Sequence, residues 1–386
     1  MADNNENKVL NVPHLRFPEF TEEWEETTLG KISEITKGSG ISKDQLSEQG
    51  SPCILYGELY TKYKSEIIDE VYSRTELDSS SLVKSKANDV IIPCSGETAI
   101  DISTARCVPF NNILLGGDLN IIRLKHDDGG FFAYQLNGAR KKDIARVAQG
   151  VSVVHLYGEN LKHIRVYHPA IEEQKKITRL LSLIDERIAT QNKIIEDLKK
   201  LKSAISLKML HSDSWEQFKI QDIASIGRGR VISSVEISQQ ENPLYPVYSS
   251  QTSNDGIMGY LDDFMFEGEY ISWTTDGANA GTVFYRNGKF NCTNVCGLLK
   301  LKKGFDAHFV SLVLAEATRM YVSTNLANPK LMNNTMGNIQ IRLPKLEEQK
   351  RISVVFRKLH GLLETHNSLI IKYSKQKQYL LSQMFI

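Results

Sequence analysis

An internal repeat is the feature that most constrains how this chain can fold. Residues 164–210 align without a gap with residues 339–385, and the best-matched part is PAIEEQKKI (169–177) against PKLEEQKRI (344–352). A weaker match pairs WEETTLGKISEITKG (24–38) with WEQFKIQDIASIGRG (215–229). Each copy is far longer than the roughly 20–45 residues of a solenoid repeat. The sequence therefore predicts two copies of one unit, a globular domain followed by a long helix.

The repeat sets the predicted domain boundaries. We expect an N-terminal extension (1–19), a first domain (20–165), a central helical segment (166–211), a second domain (212–340) and a C-terminal helical segment (341–386). A length of 386 residues is sufficient for two ordinary domains. No apolar stretch approaches the roughly 18 residues of a membrane span, and the polar start lacks a signal peptide. The five cysteines are few and odd in number, which indicates free thiols and a cytoplasmic location.

Both helical segments carry a heptad pattern of apolar residues, which predicts coiled-coil helices. The first seam is Ile177, Leu181, Ile184, Ile188, Ile195, Leu198, Ile205 and Met209, and the second is Ile352, Phe356, Leu359, Leu363, Ile370, Tyr373, Leu380 and Met384. Both seams are interrupted at equivalent polar positions, Gln191/His366 and Lys202/Lys377. Isolated polar seam positions help to fix register and partner choice. We expect the two helices to pack antiparallel, with the domains at opposite ends and related by an approximate two-fold axis. Docking of each helix on another protein and a plain dimerising coiled coil remain open.

The globular segments are predicted to have an α+β fold. Short β-prone runs punctuated by Gly, Asn and Asp lie at 51–63, 89–96 and 111–125, and at 243–250, 268–290 and 296–302. Short helices are expected at 131–143 and 307–322, and the long helices are expected to begin near Pro169 and Pro344 with their glutamates in the first turn. DGANAG (276–281) is expected to be a hairpin turn.

The distribution of charge does not fit a DNA-binding protein that works alone. The first globular segment (20–163) holds 16 Lys and Arg against 21 Asp and Glu, and the second (212–338) holds 10 against 13. The helical segments are basic, with 10 against 6 in 164–210 and 9 against 3 in 339–385. Neutralised phosphates supply much of the affinity for DNA. Either local clusters such as RKKDIAR (140–146) and Arg228/Arg230 suffice, or a basic partner protein supplies phosphate contacts. We favour the partner.

The sequence contains no motif that indicates an enzyme. It lacks a phosphate-binding G-x-x-x-x-G-K-[ST] loop, a G-x-S-x-G nucleophile turn and the Asn/Asp-Pro-Pro-aromatic motif of amino-methyltransferases. Cys292 and Cys296 have no second Cys or His pair at zinc spacing, so no metal site is expected.

These features together resemble the specificity subunits of type I restriction–modification enzymes. The resemblance rests on the Trp-anchored openings (Trp24, Trp215), two dissimilar central segments and the paired P-x-[IL]-EEQ-[KR]-[KR]-I helix starts. ILYGELY (54–60) and WTTDGANAGTVFY (273–285) are also typical of such chains, and the resemblance extends from about residue 15 onwards.

The resemblance implies a non-catalytic reader of double-stranded DNA. Each globular segment would be a target-recognition domain for one half of a split, asymmetric site, and the helices would set the unread spacer. Two DNA-methyltransferase (modification) subunits would dock on the helices, bring S-adenosylmethionine and methylate adenine N6. Two restriction subunits would bring ATP-driven translocation and cleavage, with Mg. The chain itself would bind none of these cofactors.

Candidate functional residues follow from side-chain chemistry and loop position. Expected DNA contacts are Tyr56, Ser95, Lys141 and Arg146 in the first domain and Ser249, Gln251, Asn254, Thr275 and Asn279 in the second. Lys37 and Arg228 occupy matching Gly-flanked turns, where a phosphate contact and a purely structural turn are equal alternatives. The expected partner-binding residues are Glu172, Glu173, Gln174 and Lys175, with Glu347, Glu348, Gln349 and Lys350.

Two other functions are compatible with the sequence. An autonomous two-domain DNA-binding regulator would bind its site tightly without a methylase. A coiled-coil scaffold would keep its function after exchange of the globular segments.

Overall fold

The protein is described by a computed structural model that covers residues 11–323 and 328–386. The first ten residues of the expected N-terminal extension lie outside the described residues. The chain divides into two compact units. Unit 1 contains the chain up to residue 193 together with 367–386, and unit 2 contains 194–366. Each unit therefore combines one globular domain with a segment of each long helix.

Unit 1 is built from short strands and helices. Its strands are β1 (Glu25–Thr28), β2 (Ser33–Lys37), β3 (Leu46–Ser47), β4 (Ser51–Ile54), β5 (Ser73–Thr75), β6 (Asp89–Pro93), β7 (Ser95–Gly96), β8 (Arg106–Val108), β9 (Leu114–Leu115), β10 (Leu119–Leu124), β11 (Val154–His155) and β12 (Arg165–His168). Its helices are α1 (Leu29–Ile32), α2 (Glu58–Thr61), α3 (Ala99–Ile102), α4 (Gly129–Asn137), α5 (Lys141–Arg146) and α6 (Gly158–Lys162), followed by the long α7 (Ile171–Met209).

Unit 2 repeats this plan. Its strands are β13 (Glu216–Lys219), β14 (Ala224–Arg228), β15 (Tyr245–Tyr248), β16 (Ile257–Leu261), β17 (Phe266–Glu267), β18 (Tyr270–Thr274), β19 (Val283–Arg286), β20 (Lys289–Cys292), β21 (Cys296–Leu301) and β22 (Gln340–Leu343). Its helices are α8 (Ile220–Ile223), α9 (Ser234–Ser238), α10 (Ala307–Ala317) and α11 (Asn333–Asn338), followed by the long α12 (Leu346–Gln383). Short 3-10 turns lie at Lys43–Gln45 and Thr318–Met320.

The main sheets of the two units correspond strand by strand, whereas the second sheets differ in one edge strand, β3 beside β5 in unit 1 and β17 beside β20 in unit 2. A four-stranded antiparallel sheet has the order β2-β10-β6-β8 in unit 1 and β14-β21-β18-β19 in unit 2. A second sheet contains a parallel pair in each unit, β4 with β9 and β15 with β20. A two-stranded ribbon leads into each long helix, β1 with β12 and β13 with β22. The two globular domains are therefore copies of one α+β fold, as the repeat predicted.

The strand register shows the duplication directly. Glu25 faces His168 across the first ribbon, and Glu216 faces Leu343 across the second. Glu216 is the equivalent of Glu25, 191 residues later (216 − 25), and Leu343 is the equivalent of His168, 175 residues later (343 − 168). These are the same offsets as those of the two sequence repeats.

The core of unit 1 brings together its domain and both of its helix segments. Trp24 is 1% exposed and packs edge-on against Phe131 and Phe385, with ring centroids 5.5 and 6.3 Å apart. Aromatic pairs of this geometry add about 0.5–1.5 kcal/mol each beyond the area that they bury. Seam residues of α7 (Ile177, Leu181, Ile184) join the same cluster as Leu380 of α12 and Met384, which directly follows that helix. The heptad pattern thus marks side chains that pack in a shared core.

The core of unit 2 has the same construction. Trp215 packs edge-on against Phe309 at 5.9 Å, as Trp24 does against Phe131. Ile352 and Phe356 of α12 share this cluster with Leu210, which directly follows α7. Each domain therefore opens with a Trp that packs on an aromatic residue of its main short helix, buried in unit 1 and partly buried at the edge of the core in unit 2.

The predicted helix starts are confirmed, with differences in detail elsewhere. Pro169 and Pro344 lie just before the first helical residues, and the glutamates occupy the first turn of each helix. The helix expected at 131–143 is instead two helices, α4 and α5, separated at Gly138. The run 51–63 is a strand only at its start, because the buried carboxylate of Glu58 accepts a hydrogen bond from the Leu55 N–H and so turns the chain into α2. Within the described ranges, no helix is long and apolar enough to cross a bilayer.

Candidate nucleic-acid interface

A groove in unit 1 is lined by one of the candidate DNA-contact residues, Tyr56, and a second, Ser95, contacts a residue of its lining. It has a volume of about 810 Å³ and is lined by the turn after β2, the turn between β4 and α2, and the turn before β10. Tyr56 is half-buried in its wall. Ser95 reaches the same wall because its Oγ donates a hydrogen bond to Oδ2 of Asp118 at 3.3 Å. Lys37 is exposed opposite Asn120, two residues beyond Asp118.

The basic run on α5 contributes less exposed charge than the sequence suggested. Lys141 is partly buried and donates to Thr104 Oγ1 at 3.3 Å, and this burial lowers its pKa. Arg140 lies over the Tyr167 ring at 5.4 Å. Of the two candidate DNA contacts, Lys141 and Arg146, only Arg146 is freely accessible, with 76% of its side chain exposed beside Asp143.

In unit 2 the nominated loop between β15 and β16 is folded on itself. The Ser249 hydroxyl accepts a hydrogen bond from the Gln251 N–H at 3.3 Å, and Gln251 Nε2 donates to the Ile257 carbonyl at 2.5 Å. Both side chains therefore hold the loop in shape. Asn254 lies exposed at its tip.

The expectation that Thr275 contacts DNA is inconsistent with the structure. Thr275 is fully buried, and its hydroxyl lies 2.7 Å from Asp276 Oδ2 and 3.0 Å from the Val295 carbonyl. Asn279 is exposed on the loop that joins β18 to β19, so the expected hairpin turn at 276–281 is confirmed.

The two matching turn residues play different roles. Arg228 is half-buried, and its Nε donates to Asn333 Oδ1 at 2.9 Å, which ties β14 to α11. Of the two alternatives for Arg228, the structural turn fits this contact. Lys37 is exposed, so a contact with a DNA phosphate remains compatible with its position.

The helix starts contain a repeated internal clamp. Gln174 Oε1 accepts a hydrogen bond from the Asp128 N–H at 2.9 Å, and Gln349 Oε1 accepts one from the Asp306 N–H at 3.0 Å. Asp128 and Asp306 in turn cap α4 and α10. Glu173 is 1% exposed, and Arg16 contacts both of its oxygens at 2.7 Å.

Three of the eight nominated partner-binding residues are therefore inaccessible. Glu173, Gln174 and Gln349 are buried within the chain, so direct contact of these side chains with a partner is inconsistent with the structure. The exposed members are Glu172, Lys175, Glu347, Glu348 and Lys350.

Two buried arginines were missed by the sequence analysis. Arg106 is 7% exposed on β8 and Arg286 is 3% exposed on β19, the equivalent outermost strands of the two main sheets. A single arginine in a short strand belongs to no sequence motif. Charged residues are rarely buried unless they are paired. The sequence therefore contains no signal that these two arginines are buried.

The described residues contain no cluster of metal-ligating side chains. The five cysteines are buried and unpaired, and burial raises the pKa of the Cys53 and Cys94 thiols to about 11. Neutral buried thiols of this kind are chemically inert.

A duplicated α+β domain, in which both copies use segments of two long helices, defines a class of two-domain proteins with helical connections. Comparison with known families gives the assignment. The family model described as "Type I restriction modification DNA specificity domain" matches residues 21–200 and again 212–372. The chain belongs to this family, whose members are the non-catalytic specificity subunits of type I restriction–modification enzymes.

Individual relatives agree with this assignment. A chain named as a type I specificity subunit of Mycoplasma pneumoniae is 35% identical over 233 residues, 58% of this chain and 97% of the relative. The MpnII specificity subunit of the same organism is 41% identical over 177 residues, 44% of this chain and 53% of the relative. The fold matches the crystal structure of the S subunit from M. genitalium with a TM-score of 0.73 at 18% identity, covering 97% and 99% of the two chains.

Proposed function

We propose that this specificity subunit reads a two-part, asymmetric sequence in double-stranded DNA, with one half recognised by each domain. The observation that carries the proposal is a constant frame with different exposed side chains. The Trp–Phe contact and the Gln–Asp clamp occur in both units. The residues that line the groove with Tyr56 and those of the loop with Asn254 differ in sequence. Similar domains with different contact residues would bind different half-sites.

We further propose that two modification subunits and two restriction subunits act with this chain. The modification subunits would carry S-adenosylmethionine for adenine N6 methylation, and the restriction subunits would use ATP and Mg for translocation and cleavage. The exposed residues Glu172, Lys175, Glu347, Glu348 and Lys350 are the proposed docking groups. The excess of acidic residues in both domains supports this sharing, because the partners would add phosphate contacts to the few that these domains can make. The long helices would set the unread spacer, and the DNA substrate implies a cytoplasmic location.

The test is co-expression with the candidate modification subunit in a host without adenine methylation, followed by single-molecule sequencing for N6-methyladenine. The expected result is one asymmetric motif of two short blocks separated by a fixed gap. A verified complex with an active methylase that leaves the genome unmodified, or that modifies one uninterrupted block, would contradict the two-reader proposal.

The two other functions are not favoured. A regulator or a scaffold without a methylase partner gives no reason for the family model to match both halves of the chain. A methylation motif that is unchanged when the two globular domains are replaced would revive the scaffold.

A further inference from the structure

In each unit a buried arginine on the edge strand of the main sheet donates hydrogen bonds to a segment of the second sheet's connections. The segment follows β4 in unit 1 and the equivalent strand β15 in unit 2. In unit 2 the segment is 249–256 after β15, and in unit 1 it is 55–63 after β4. We call them the braced segments. A buried guanidinium must be hydrogen-bonded to be tolerated, so its partners show what the burial secures.

In unit 2 Arg286 holds the loop tip at both backbone and side chain. Its Nη2 donates to the Asp255 carbonyl at 2.9 Å, and its Nη1 donates to Asp255 Oδ2 at 2.6 Å. Nε is anchored on Ser272 Oγ at 3.0 Å, and the guanidinium lies 3.7 Å from the Tyr248 ring centroid. The arginine is thus fixed on the sheet and reaches one residue of the loop with two bonds.

The loop needs this support because its backbone is unfavourable. Asn254 (φ 49°, ψ 44°) and Asp255 (φ 52°, ψ 27°) both adopt the left-handed conformation. Two consecutive non-glycine residues rarely do so, and such strain persists only where the surroundings enforce it. Arg286 contacts the second of these two residues. The contact keeps Asn254 at the tip, beside the exposed Thr252 and Ser253.

In unit 1 Arg106 has the same relationship to the wall of the groove. Its Nε donates to the Leu59 carbonyl at 3.1 Å, and its Nη2 donates to the Tyr63 carbonyl at 2.9 Å. These carbonyls belong to the braced segment that carries Tyr56 and Thr61 into the groove. The arginine therefore fixes the backbone at two core residues of the segment, Leu59 and Tyr63, between and beside which Thr61 and Tyr56 line the groove.

The arginine brace recurs although the braced sequences do not. LYGELYTKY (55–63) and SSQTSNDG (249–256) share no pattern. A constant support below a variable segment is the arrangement expected where side chains are exchanged to change what is bound. Asn, Ser and Thr carry the donors and acceptors that read base edges.

We propose that the braced segments are the base-reading elements of the two domains, and that Arg106 and Arg286 are their positioning residues. The inference rests on the proposed function and deepens it. Asn254, with Thr252 and Ser253, reads the half-site of the second domain. Tyr56 and Thr61 read that of the first.

The sharpest test is Asn254→Gly in the complex with the modification subunit, with the methylation motif read by sequencing. Glycine accepts a positive φ without strain, so the variant should be at least as stable as the wild type. The expected result is a roughly tenfold to hundredfold loss of base discrimination at positions within one half of the motif, with the other half unchanged. Asn242→Ala, an exposed amide elsewhere in unit 2, is the matched control and should leave the motif intact.

Arg286→Met tests the positioning role. It should relax the same half-site as Asn254→Gly, and Arg286→Lys should restore discrimination only in part, because lysine cannot make the paired contacts. Tyr56→Ala should relax the other half. A merely structural arginine would lower the yield of folded complex without altering the sequence that the remaining complex methylates.

The outcomes separate the inference from the proposed function. If the wild-type complex methylates no two-part motif, the proposed function fails. If it does so, and Asn254→Gly and Arg286→Met keep the motif unchanged in a folded complex, base reading lies outside the braced segments and the inference is overturned.

Discussion

The Nζ of Lys377 lies 2.6 Å from Oδ1 of Asp185, joining the two long helices inside unit 1 where both side chains are nearly buried, 13% and 10% exposed. Lys377 also contacts Glu66, and the Tyr134 hydroxyl donates to Asp185 Oδ2 at 2.8 Å. Lys377 is one of the polar interruptions of the heptad seam. These contacts favour one register of the two helices, because sliding one helix along the other would leave the buried carboxylates of Glu66 and Asp185 without their cation.

Replacing Lys377 by Met should therefore destabilise unit 1 strongly. Removal of one partner of a buried ion pair costs about 3 kcal/mol or more, since the remaining charge is left uncompensated. Urea unfolding followed by tryptophan fluorescence measures the change. Lys375→Met, at an exposed position of the same helix, is the control and should shift stability by less than about 0.5 kcal/mol. If Lys377→Met and Lys375→Met changed the free energy of unfolding equally, the proposal that the Lys377 network fixes the helix register would be contradicted.

The clamp at the start of α12 should be sensitive to Gln349→Leu. The substitution leaves the Asp306 N–H and the Pro344 carbonyl without the partners that they have at 3.0 and 2.8 Å. Loss of such buried hydrogen bonds costs about 1–3 kcal/mol. Gln349→Glu retains an acceptor for Asp306, but it buries a carboxylate beside the Pro344 carbonyl and should be no less destabilising. Thermal unfolding of both variants beside Lys350→Leu, an exposed neighbour, decides the point, and a neutral Gln349→Leu would contradict it.

His308 should make unit 2 less stable in mild acid. Burial, and next the charge of Arg357, lower the pKa of His308 to about 4, with Lys202 and His360 acting the same way and Asp306 opposing them. The imidazole lies 2.9 Å from Ser353 Oγ and stacks edge-on against Tyr285. Because the folded pKa is below the unfolded value of about 6.5, the unfolded chain takes up the proton first. The stabilisation is complete above pH 6.5 and is lost as the pH falls towards 4.

The measurement for His308 is the free energy of unfolding at pH 7 and pH 5. The contribution of this group should be about 1–2 kcal/mol after allowance for its partial exposure. His308→Phe keeps the contact with Tyr285 and should show a correspondingly smaller difference between the two pH values. An identical pH dependence in both proteins would assign the acid sensitivity to other groups.

The exposed pair Glu347 and Glu348 provides a test of partner docking. Reversing both charges to Lys should weaken association with the modification subunit by about tenfold, since charge complementarity at an interface is replaced by repulsion. Both side chains are exposed, so stability should fall only by the lost interaction with the helix dipole, roughly 0.3–1 kcal/mol for each residue. Co-purification and titration against the partner measure the effect, with Glu364→Lys further along α12 as the control. Unchanged binding would contradict the proposal that the modification subunit docks at the start of α12.

The sequence predicted the features that depend on local periodicity. The heptad residues Ile177 and Ile352 lie in the two cores, and the hairpin turn at 276–281 is where Gly and Asn indicated it. The duplication was visible because the frame is repeated residue for residue, down to the register of Glu25 and Glu216.

The parts that were missed depend on contacts between distant residues. Glu173 looks like an accessible acid at a helix start until Arg16, 157 residues earlier, is seen to cover it. Thr275 resembles other loop threonines until the Val295 carbonyl is placed beside it. Periodicity predicts which face of an element is apolar, but it does not show which distant segment covers a polar residue.

The division of α12 between the two units has a consequence for the order in which the protein can mature. The core of unit 1 requires Leu380, Met384 and Phe385 beside Trp24, and these residues are synthesised only after the whole of unit 2. The first domain to leave the ribosome is thus the last that can finish its core, whereas unit 2 is already complete in sequence by residue 366. Translation from the amino end would ordinarily favour the opposite order. Until elongation passes the last turns of α12, the apolar surface around Trp24 in the nascent first domain lacks the part of its cover that Leu380, Met384 and Phe385 provide.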